Sequence, residues 1–335
     1  MARTDLFALT VFALVGCSQP KSLALPSAAP VDWASYDIRS TPDAGRPSPT
    51  SAERAIAGTY LTALESPNLE GLGALLDEHV HFTFAGMHDR RGRTLVIDAH
   101  HRLFDGFDRR HIRPSRVLLT DNMQVIEWTM NGFATSSKKP VRLNGVLLLS
   151  TNDDGSIGDV YVAFDEALAA AQGGSAPKGF PSVITEAPAI EGFSLLEQAA
   201  SVDEAANVAV VRTSLDRFEE FKEREYLETF ADDVDVTPLV GPSLHGHADL
   251  KNYQRQMQHA IANLDSTTDN AWGIGDFVVV QYHIVGEQRG PLGWIASQRD
   301  RLLKMFIVDV IEMRDHKIKH VWRYDNPSQI ITELP

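Results

Sequence analysis

The residues best suited to chemistry lie near the end of the chain, and the first of them is Asp325. It stands in HVWRYDN, close to Trp322 and Tyr324, whose rings could wall a pocket. A carboxylate transfers protons near neutral pH only where an apolar pocket raises its pKa. Alternatively, Asp325 ends a strand and begins the turn into Asn326 and Pro327. Trp322 and Asp325 fall on opposite faces of a regular strand unless a bulge intervenes.

Two further titratable residues interrupt apolar strands. His283 stands in VVVQYHIVGE, where a neutral imidazole could hold a proton in a pocket or be hydrogen-bonded within the sheet. Asp309 stands in MFIVDVIEM, where an unpaired carboxylate is costly. Asp309 therefore either faces a pocket or pairs on the outer side with Arg299, Arg301 or Arg323.

The surroundings of these residues indicate an organic ligand. Aromatic residues are expected around it, although each of them could be ordinary core. They are Tyr253, Trp272, Trp294, Phe306, Trp322 and Tyr324. Metal ligation is not expected, because the histidine pairs at 79 and 81, 100 and 101, and 245 and 247 have no third ligand at a recognisable spacing.

The elements that must position these residues occur twice. An offset of 154 residues, which carries Ala55 onto Ala209 and Gly132 onto Gly286, aligns residues of like character without a gap from about 55 to 132. Beyond that point the offset becomes 161, so the second copy has about seven more residues in one hairpin. A constant offset over this length indicates a duplication.

Each copy begins with helices and ends with strands. In the second copy a third helix is predicted over LKNYQRQMQHAIANL. The strands STTDNAWGI, FVVVQYHIVGE, RLLKMFIVDVIEMRD and KIKHVWRYDN follow it, with Asp315 and His316 as the tight turn of the last pair. Helices followed by an antiparallel sheet predict the α+β class. The sheet must curl around the helices to bury both, which leaves a cone with an open mouth.

This order, with HGHADL, WGIGDFVVVQYHIVGEQRGPLG, DVIEMRDHKI and HVWRYDN of the second copy, resembles the NTF2-like superfamily, and most closely its SnoaL-like branch of polyketide cyclases. The resemblance implies two tandem cone-shaped domains, at 51–172 and 205–335, with a linker at 173–204. It also implies that Asp325 is a general acid/base and that His283 lines the cavity. The same fold hosts isomerases, cyclases, hydrolases, dehydratases and binding modules, so the activity stays open.

The first copy lacks the candidate groups. Thr129 stands where the second copy has His283, and Leu148 stands opposite Asp309. Asp165 matches the last-strand carboxylate only if one residue is skipped. We therefore expect the first domain to be a structural partner, paired with the second through their sheets as an internal pseudo-dimer, as in the homodimers common in this superfamily.

The first fifty residues indicate export and lipid anchoring. Leu6 to Val15 is apolar, but as a helix it spans only ~15 Å, too short for a bilayer and typical of a signal peptide. Gly16 and Cys17 end a segment that resembles the lipobox of bacterial lipoproteins, although an ordinary secretory signal is the alternative. We predict a signal peptide at 1–16, lipidation of Cys17, a flexible tether at 17–50, and a place in the envelope, with the outer membrane favoured by Ser18.

Composition restricts the function further. The net charge of -14 opposes binding to nucleic acid. Cys17 is the only cysteine, so the mature domains have no thiolate or disulfide chemistry. The leading expectation is an envelope lipoprotein whose second domain binds a small, mostly apolar molecule. The alternatives are a cofactor-independent cyclase or isomerase with Asp325 as acid/base, and a scaffolding module.

Overall fold

The computed structural model describes residues 51–85, 87–181, 194–238, 242–293, 295–296 and 301–327. All of them belong to one compact unit of the chain. The predicted signal peptide at 1–16, the tether at 17–50 with Cys17, and Trp294 lie outside the described residues. None of the helices described is both long and apolar enough to cross a membrane.

The first domain packs three helices on one face of a mixed sheet and ends with a fourth helix. Its first helix buries Tyr60, Leu61 and Leu64, as its apolar periodicity predicts. The elements are α1 (Ser51–Glu65), α2 (Leu72–Leu75), β1 (Leu76–Phe84), β2 (Met87–Arg91), α3 (Arg93–Phe104), β3 (Phe107–Leu119), β4 (Met123–Ala134), β5 (Pro140–Thr151), β6 (Ile157–Phe164) and α4 (Glu166–Gly173).

The second domain repeats this order after a short strand, β7 (Ser194–Glu197), which pairs in parallel with β3 of the first sheet. Ser201 caps the next helix and forms a capping box with Glu204. The elements are α5 (Val202–Glu219), α6 (Glu223–Leu227), β8 (Phe230–Pro238), β9 (Leu244–His245), α7 (Gly246–Ala260), β10 (Ile261–Ile274), β11 (Phe277–Gln288), β12 (Arg301–Arg314) and β13 (Lys317–Asp325).

The two sheets have the same topology. Among the described residues the first has the order β2-β1-β6-β5-β4-β3-β7 and the second β10-β11-β12-β13-β8-β9. In each sheet the strand after the second helix pairs in parallel with the last strand, β1 with β6 and β8 with β13. The predicted class, α+β with two tandem domains of helices packed on a mostly antiparallel sheet, is confirmed.

Two local predictions have different outcomes. The helix predicted over LKNYQRQMQHAIANL ends at Ala260, because from Ile261 onward the chain pairs with β11 as a strand. Asn263 has a φ of 50° beside a break in that register. The predicted turn at Asp315 and His316 is confirmed, since both residues have positive φ, 50° and 54°, between β12 and β13.

The outer faces of the two sheets pack against each other, and we call this buried contact the seam. Because the seam covers the face opposite the helices, the central strands of the second sheet are buried on both sides. The buried residues of the seam are Ala85, Leu118, Val125, Val146, Leu148, Tyr161 and Ala163 of the first domain and Ile274, Val279, Val308, Val310 and Tyr324 of the second.

Candidate functional site

The second domain encloses a cavity between its helices and the inner face of its sheet. The space open to the centre of a water molecule is about 50 Å³, several times the roughly 10–15 Å³ that one enclosed water needs. Most of the wall is apolar. Representative residues of that wall are Val211, Phe218, Leu250, Val280 and Ile311.

The alternation of the strands decides which side chains reach the cavity. On β11, Val280, Tyr282 and Ile284 face inward, two residues apart. On β12, Asp309 lies directly across from Val280 and therefore shares its face. Arg323 of β13 lies across from Asp309 in turn, so an acid and a base of adjacent strands meet in the cavity wall.

A buried network joins these polar groups. Arg323 donates from Nε to Asp309 Oδ1 at 2.9 Å and from Nη2 to Oδ2 at 2.8 Å. The hydroxyl of Tyr282 donates to Asp309 Oδ2 at 3.0 Å, and Arg323 Nη1 donates to the hydroxyl of Tyr253 at 2.9 Å. The side chains of Arg323 and Asp309 are 19% and 4% exposed, so the ion pair is shielded from solvent. A two-bonded pair of this kind is rigid and directional.

The network fixes the protonation states of its members. Burial lowers the pKa of Arg323, but the charge of Asp309, the two tyrosines and the hydrogen bonds to Asp309 together outweigh burial and raise that pKa well above the ordinary value. Burial also raises the pKa of Tyr282 and of Tyr253, so both hydroxyls stay protonated. Asp309 accepts three hydrogen bonds, two from Arg323 and one from Tyr282, and so anchors the guanidinium.

Asp325 is a second carboxyl group on the inner side of the sheet. It lies across from Ile307 of the inner core and two residues beyond Arg323, so it shares the cavity face at the end of β13. Burial raises the pKa of Asp325 to about 6, Arg323 lowers it, and Asp309 raises it. A carboxyl group with this pKa can exchange a proton at physiological pH.

The structure therefore brings together some of the predicted site residues. Asp309 and Tyr253 line the cavity. Both alternatives weighed for Asp309 hold at once, because it faces the cavity and also pairs with Arg323, although on the inner side of the sheet. Asp325 shares the cavity face, and its register shows no bulge after Trp322, so these two residues lie on opposite faces.

The prediction that His283 and Phe306 line the pocket is wrong. They lie across from each other on the outer face of β11 and β12, with ring centroids 5.5 Å apart. His283 Nδ1 lies 3.1 Å from the carboxylate of Asp269 on the neighbouring strand. The imidazole is thus held within the sheet, which was the alternative reading of this residue.

The prediction that Trp272, Trp322 and Tyr324 line the pocket is also wrong, because all three belong to the seam. Tyr324 is a buried member of that cluster, and the two tryptophans pack against it. An aromatic residue on an outer sheet face is unexpected in an isolated domain. Here the first domain covers that face, so apolar side chains on it are shielded from water.

Sequence reasoning missed the inward role of Arg323 and did not single out Tyr282, Tyr226 or Ser214. The signal was available for two of them. Tyr282 lies two residues from Val280, and Arg323 two residues from Val321, which places each on the face of an apolar neighbour. Ser214 and Tyr226 line the cavity from helices, where no polar pattern marks them.

The interior of the first domain is filled where that of the second is open. Ile126 pairs with Leu147 as Val280 pairs with Asp309. The counterpart of Asp309 is therefore Leu147, whereas the offset of 161 residues predicted Leu148. Leu148 belongs to the seam.

Aromatic rings take up the remaining space of that first interior. Phe164 occupies the place of Asp325, while Asp165 caps α4 by accepting from the amide of Leu168 at 2.7 Å. Trp128 occupies the place of Tyr282 and lies flat on Gly145, where a Cβ would come within 2.1 Å of its ring. The packed rings leave the first domain without the polar network.

The described residues contain no group of three or more histidine, cysteine, aspartate or glutamate side chains placed to hold a metal ion. Of the histidines singled out above, His81 lies between two carboxylates, 2.9 Å from Asp89 and 3.1 Å from Asp159. His245 lies 2.5 Å from Asp235, and His100 lies 2.5 Å from the hydroxyl of Tyr60.

Comparison with known protein families agrees with the duplicated fold. A family model described as a SnoaL-like domain matches the chain twice, at residues 57–160 and 211–321. A search of proteins with curated functions returned no match.

Solved structures of similar fold have low sequence identity to this chain. A protein from Jannaschia sp. CCS1, described as a SnoaL-like polyketide cyclase, is 18% identical, covers 41% of this chain and 99% of its own, and has a TM-score of 0.37. A protein with a ketosteroid isomerase-like fold from Catenulispora acidiphila, in complex with trimethylamine, is 16% identical, with coverages of 38% and 93% and a TM-score of 0.33. An LEH-like epoxide hydrolase from M. tuberculosis is 14% identical, with coverages of 38% and 87% and a TM-score of 0.32.

Proposed function

Because the chain belongs to the SnoaL-like family in both of its domains, we propose that its second domain binds a small, mostly apolar molecule in the cavity above Asp309 and Arg323. The observation that carries the proposal is the combination of an apolar wall with one buried polar network. A pocket of this composition places a ligand by its apolar body and orients it through one polar atom.

The unused hydrogen-bonding capacity of the network indicates which polar atom fits. A guanidinium has five N–H donors, and three of those of Arg323 bond to Asp309 and Tyr253. The other donors form no bond to described residues, and Ser214 and Tyr226, which also carry hydroxyls, line the cavity. The available groups are mainly donors, so the ligand presents an acceptor such as a carbonyl or hydroxyl oxygen. The charge of Arg323 is already balanced by Asp309, which favours a neutral ligand over an anion.

A thermal-shift screen of neutral, oxygen-bearing apolar compounds tests the binding proposal. A compound present at one hundred times its Kd stabilises the folded state by about 2.7 kcal/mol, which raises the Tm by several degrees. Ser214→Tyr, which introduces the residue found at the matching position of the first domain (Tyr60), should fill the cavity and abolish the shift. His283→Ala, on the outer face, should retain it. A screen in which no compound class shifts the Tm of the wild type would contradict the proposal.

Acid/base catalysis of the cyclase or isomerase kind is the second candidate, and the raised pKa of Asp325 favours it. Its position beside Arg323 would let it take a proton from a bound molecule whose developing negative charge Arg323 stabilises. If a bound compound is turned over, Asp325→Asn is expected to reduce kcat at least a hundredfold with little change in binding. An unchanged kcat in that variant excludes Asp325 as the acid/base.

We also propose that the first domain is the structural half of an internal pseudo-dimer and that Cys17 anchors the protein in the cell envelope. The seam supports the first point, and the lipobox-like segment supports the second. Cell fractionation tests the anchor: Cys17→Ser should move the protein from the membrane fraction to the soluble fraction. A wild-type protein found in the soluble fraction would contradict it.

A further inference from the structure

The last strand of the second domain has one face in the cavity and the other in the seam. Arg323 and Asp325 occupy the cavity face, and Trp322 and Tyr324 alternate with them on the seam face. The register with β12 is unbroken over these four residues. Contacts that hold the seam side of this strand in place therefore also hold the groups on its cavity side.

Tyr324 is tied to a buried charge of the first domain. Its hydroxyl donates to Glu127 Oε1 at 2.5 Å, and Glu127 Oε2 accepts from Arg116 Nη1 at 2.6 Å. The side chains of Glu127 and Arg116 are 2% and 10% exposed. The guanidinium of Arg116 also lies 3.9 Å from the ring centroid of Trp322. Buried charge-assisted bonds of this kind are short and directional.

A second tie follows directly after the strand. Asn326 Nδ2 donates to Glu166 Oε2, at the start of α4 in the first domain, at 2.8 Å. Residues 324 and 326 are thus both bonded to the first domain, and Asp325 stands between them. The end of a strand frays easily unless it is held, so these bonds bear directly on Asp325.

We propose that Glu127 and Glu166 are positioning residues for the cavity: through Tyr324 and Asn326 they hold the end of β13, and with it Asp325, on the cavity face of the sheet beside Arg323. The inference rests on the proposed function of the second domain. It gives the first domain a part in that function without contact with the ligand. It also explains a difference between the two sides of the seam. The position that matches Tyr324 in the first domain is Ala163, which offers no such bond.

The charge environment of Asp325 provides the readout. Asp309 acts on it from β12 and Arg323 from its own strand. From the first domain, Tyr161 and Asp165 are near enough for its charge to raise their own pKa values. Burial is the main reason why the pKa of Asp325 is about 6. Loosening the strand end admits water to the carboxylate, which lowers that pKa toward the ordinary value.

The test is the pKa of Asp325, measured by carboxyl NMR titration of the whole chain without ligand. Tyr324→Phe removes only the hydroxyl bonded to Glu127 and is expected to lower this pKa by about one unit. Tyr161→Phe is the matched control: the hydroxyl of Tyr161 is buried in the same seam but has no partner among the described residues. In that control we expect no change in the pKa of Asp325.

An unchanged pKa of Asp325 in folded Tyr324→Phe overturns the proposal, even if the Tm falls, because a merely structural hydroxyl would lower only the Tm. Should Tyr324→Phe not fold, Glu166→Ala decides in the same way, since it changes a half-buried side chain. For a compound found by the screen, Tyr324→Phe should weaken binding about three- to tenfold and Tyr161→Phe should not. A failed screen rejects the proposed function, whereas the NMR titration still tests the positioning.

Discussion

Arg323→Val is expected to lower the free energy of unfolding of the second domain by about 3–5 kcal/mol, because it leaves a charged carboxylate buried without its partner. Asp309 is 4% exposed at its side chain and accepts two bonds from Arg323, so without that partner its carboxylate remains shielded from bulk solvent. Chemical unfolding of the whole chain, followed by a probe in the second domain, measures the effect.

The first domain supplies the control for this prediction. It carries Leu147 and Val162 where the second carries Asp309 and Arg323. The double variant Asp309→Leu, Arg323→Val removes both charges and is expected to be more stable than Arg323→Val alone. It should remain about 1–2 kcal/mol below the wild type, since the hydroxyl of Tyr282 loses its acceptor. A double variant less stable than Arg323→Val would show that the buried charge is not the cause.

Acidification is expected to destabilise the first domain through His100. This residue is fully buried, and burial lowers its pKa to about 4. Its Nδ1 lies 2.8 Å from the carbonyl of Val96, and its Nε2 lies 2.5 Å from the hydroxyl of Tyr60. With Nδ1–H as donor, Nε2 accepts from Tyr60, so the folded domain holds the neutral ring.

The direction of this pH dependence follows from the protonation of His100 in the folded and the unfolded chain. The unfolded chain binds a proton at His100 near pH 6.5 and the folded chain near pH 4, so the stabilisation is complete above pH 6.5. It is lost as the pH falls from 6.5 to 4, by about 3 kcal/mol in all. His100→Gln, which places the residue of the second domain (Gln254) at this position, should remove this part of the acid sensitivity. If Tm curves of wild type and variant against pH are parallel from 7 to 4, the prediction is wrong.

The fold was predictable because duplicated sequences constrain each other. The constant offset between the copies placed the helices and strands of one domain on those of the other, and the sheets follow that order. Element ends were less certain. The chain turns from helix to strand at Ile261 without a glycine or proline to mark the change.

The site was predictable only in part, because the seam removes the usual alternation of polar and apolar residues. On β13 one face lies toward the cavity and the other against the first domain, so the apolar character of Trp322 and Tyr324 does not indicate which face they occupy. Asp309 was recognisable as a costly charge in an apolar strand. Its partner Arg323 was identified as a possible one, but the sequence could not tell that the pair points inward.

The measurement that tests the central proposal most directly is the Kd of a compound identified by the screen, determined for three proteins. They are the wild type, the double variant Asp309→Leu, Arg323→Val, and His283→Ala. Loss of a hydrogen bond to a charged group costs about 1.5–3 kcal/mol, so the double variant should bind at least about tenfold more weakly, with His283→Ala unchanged. Equal affinity of the wild type and the double variant would show that the buried network does not hold the ligand.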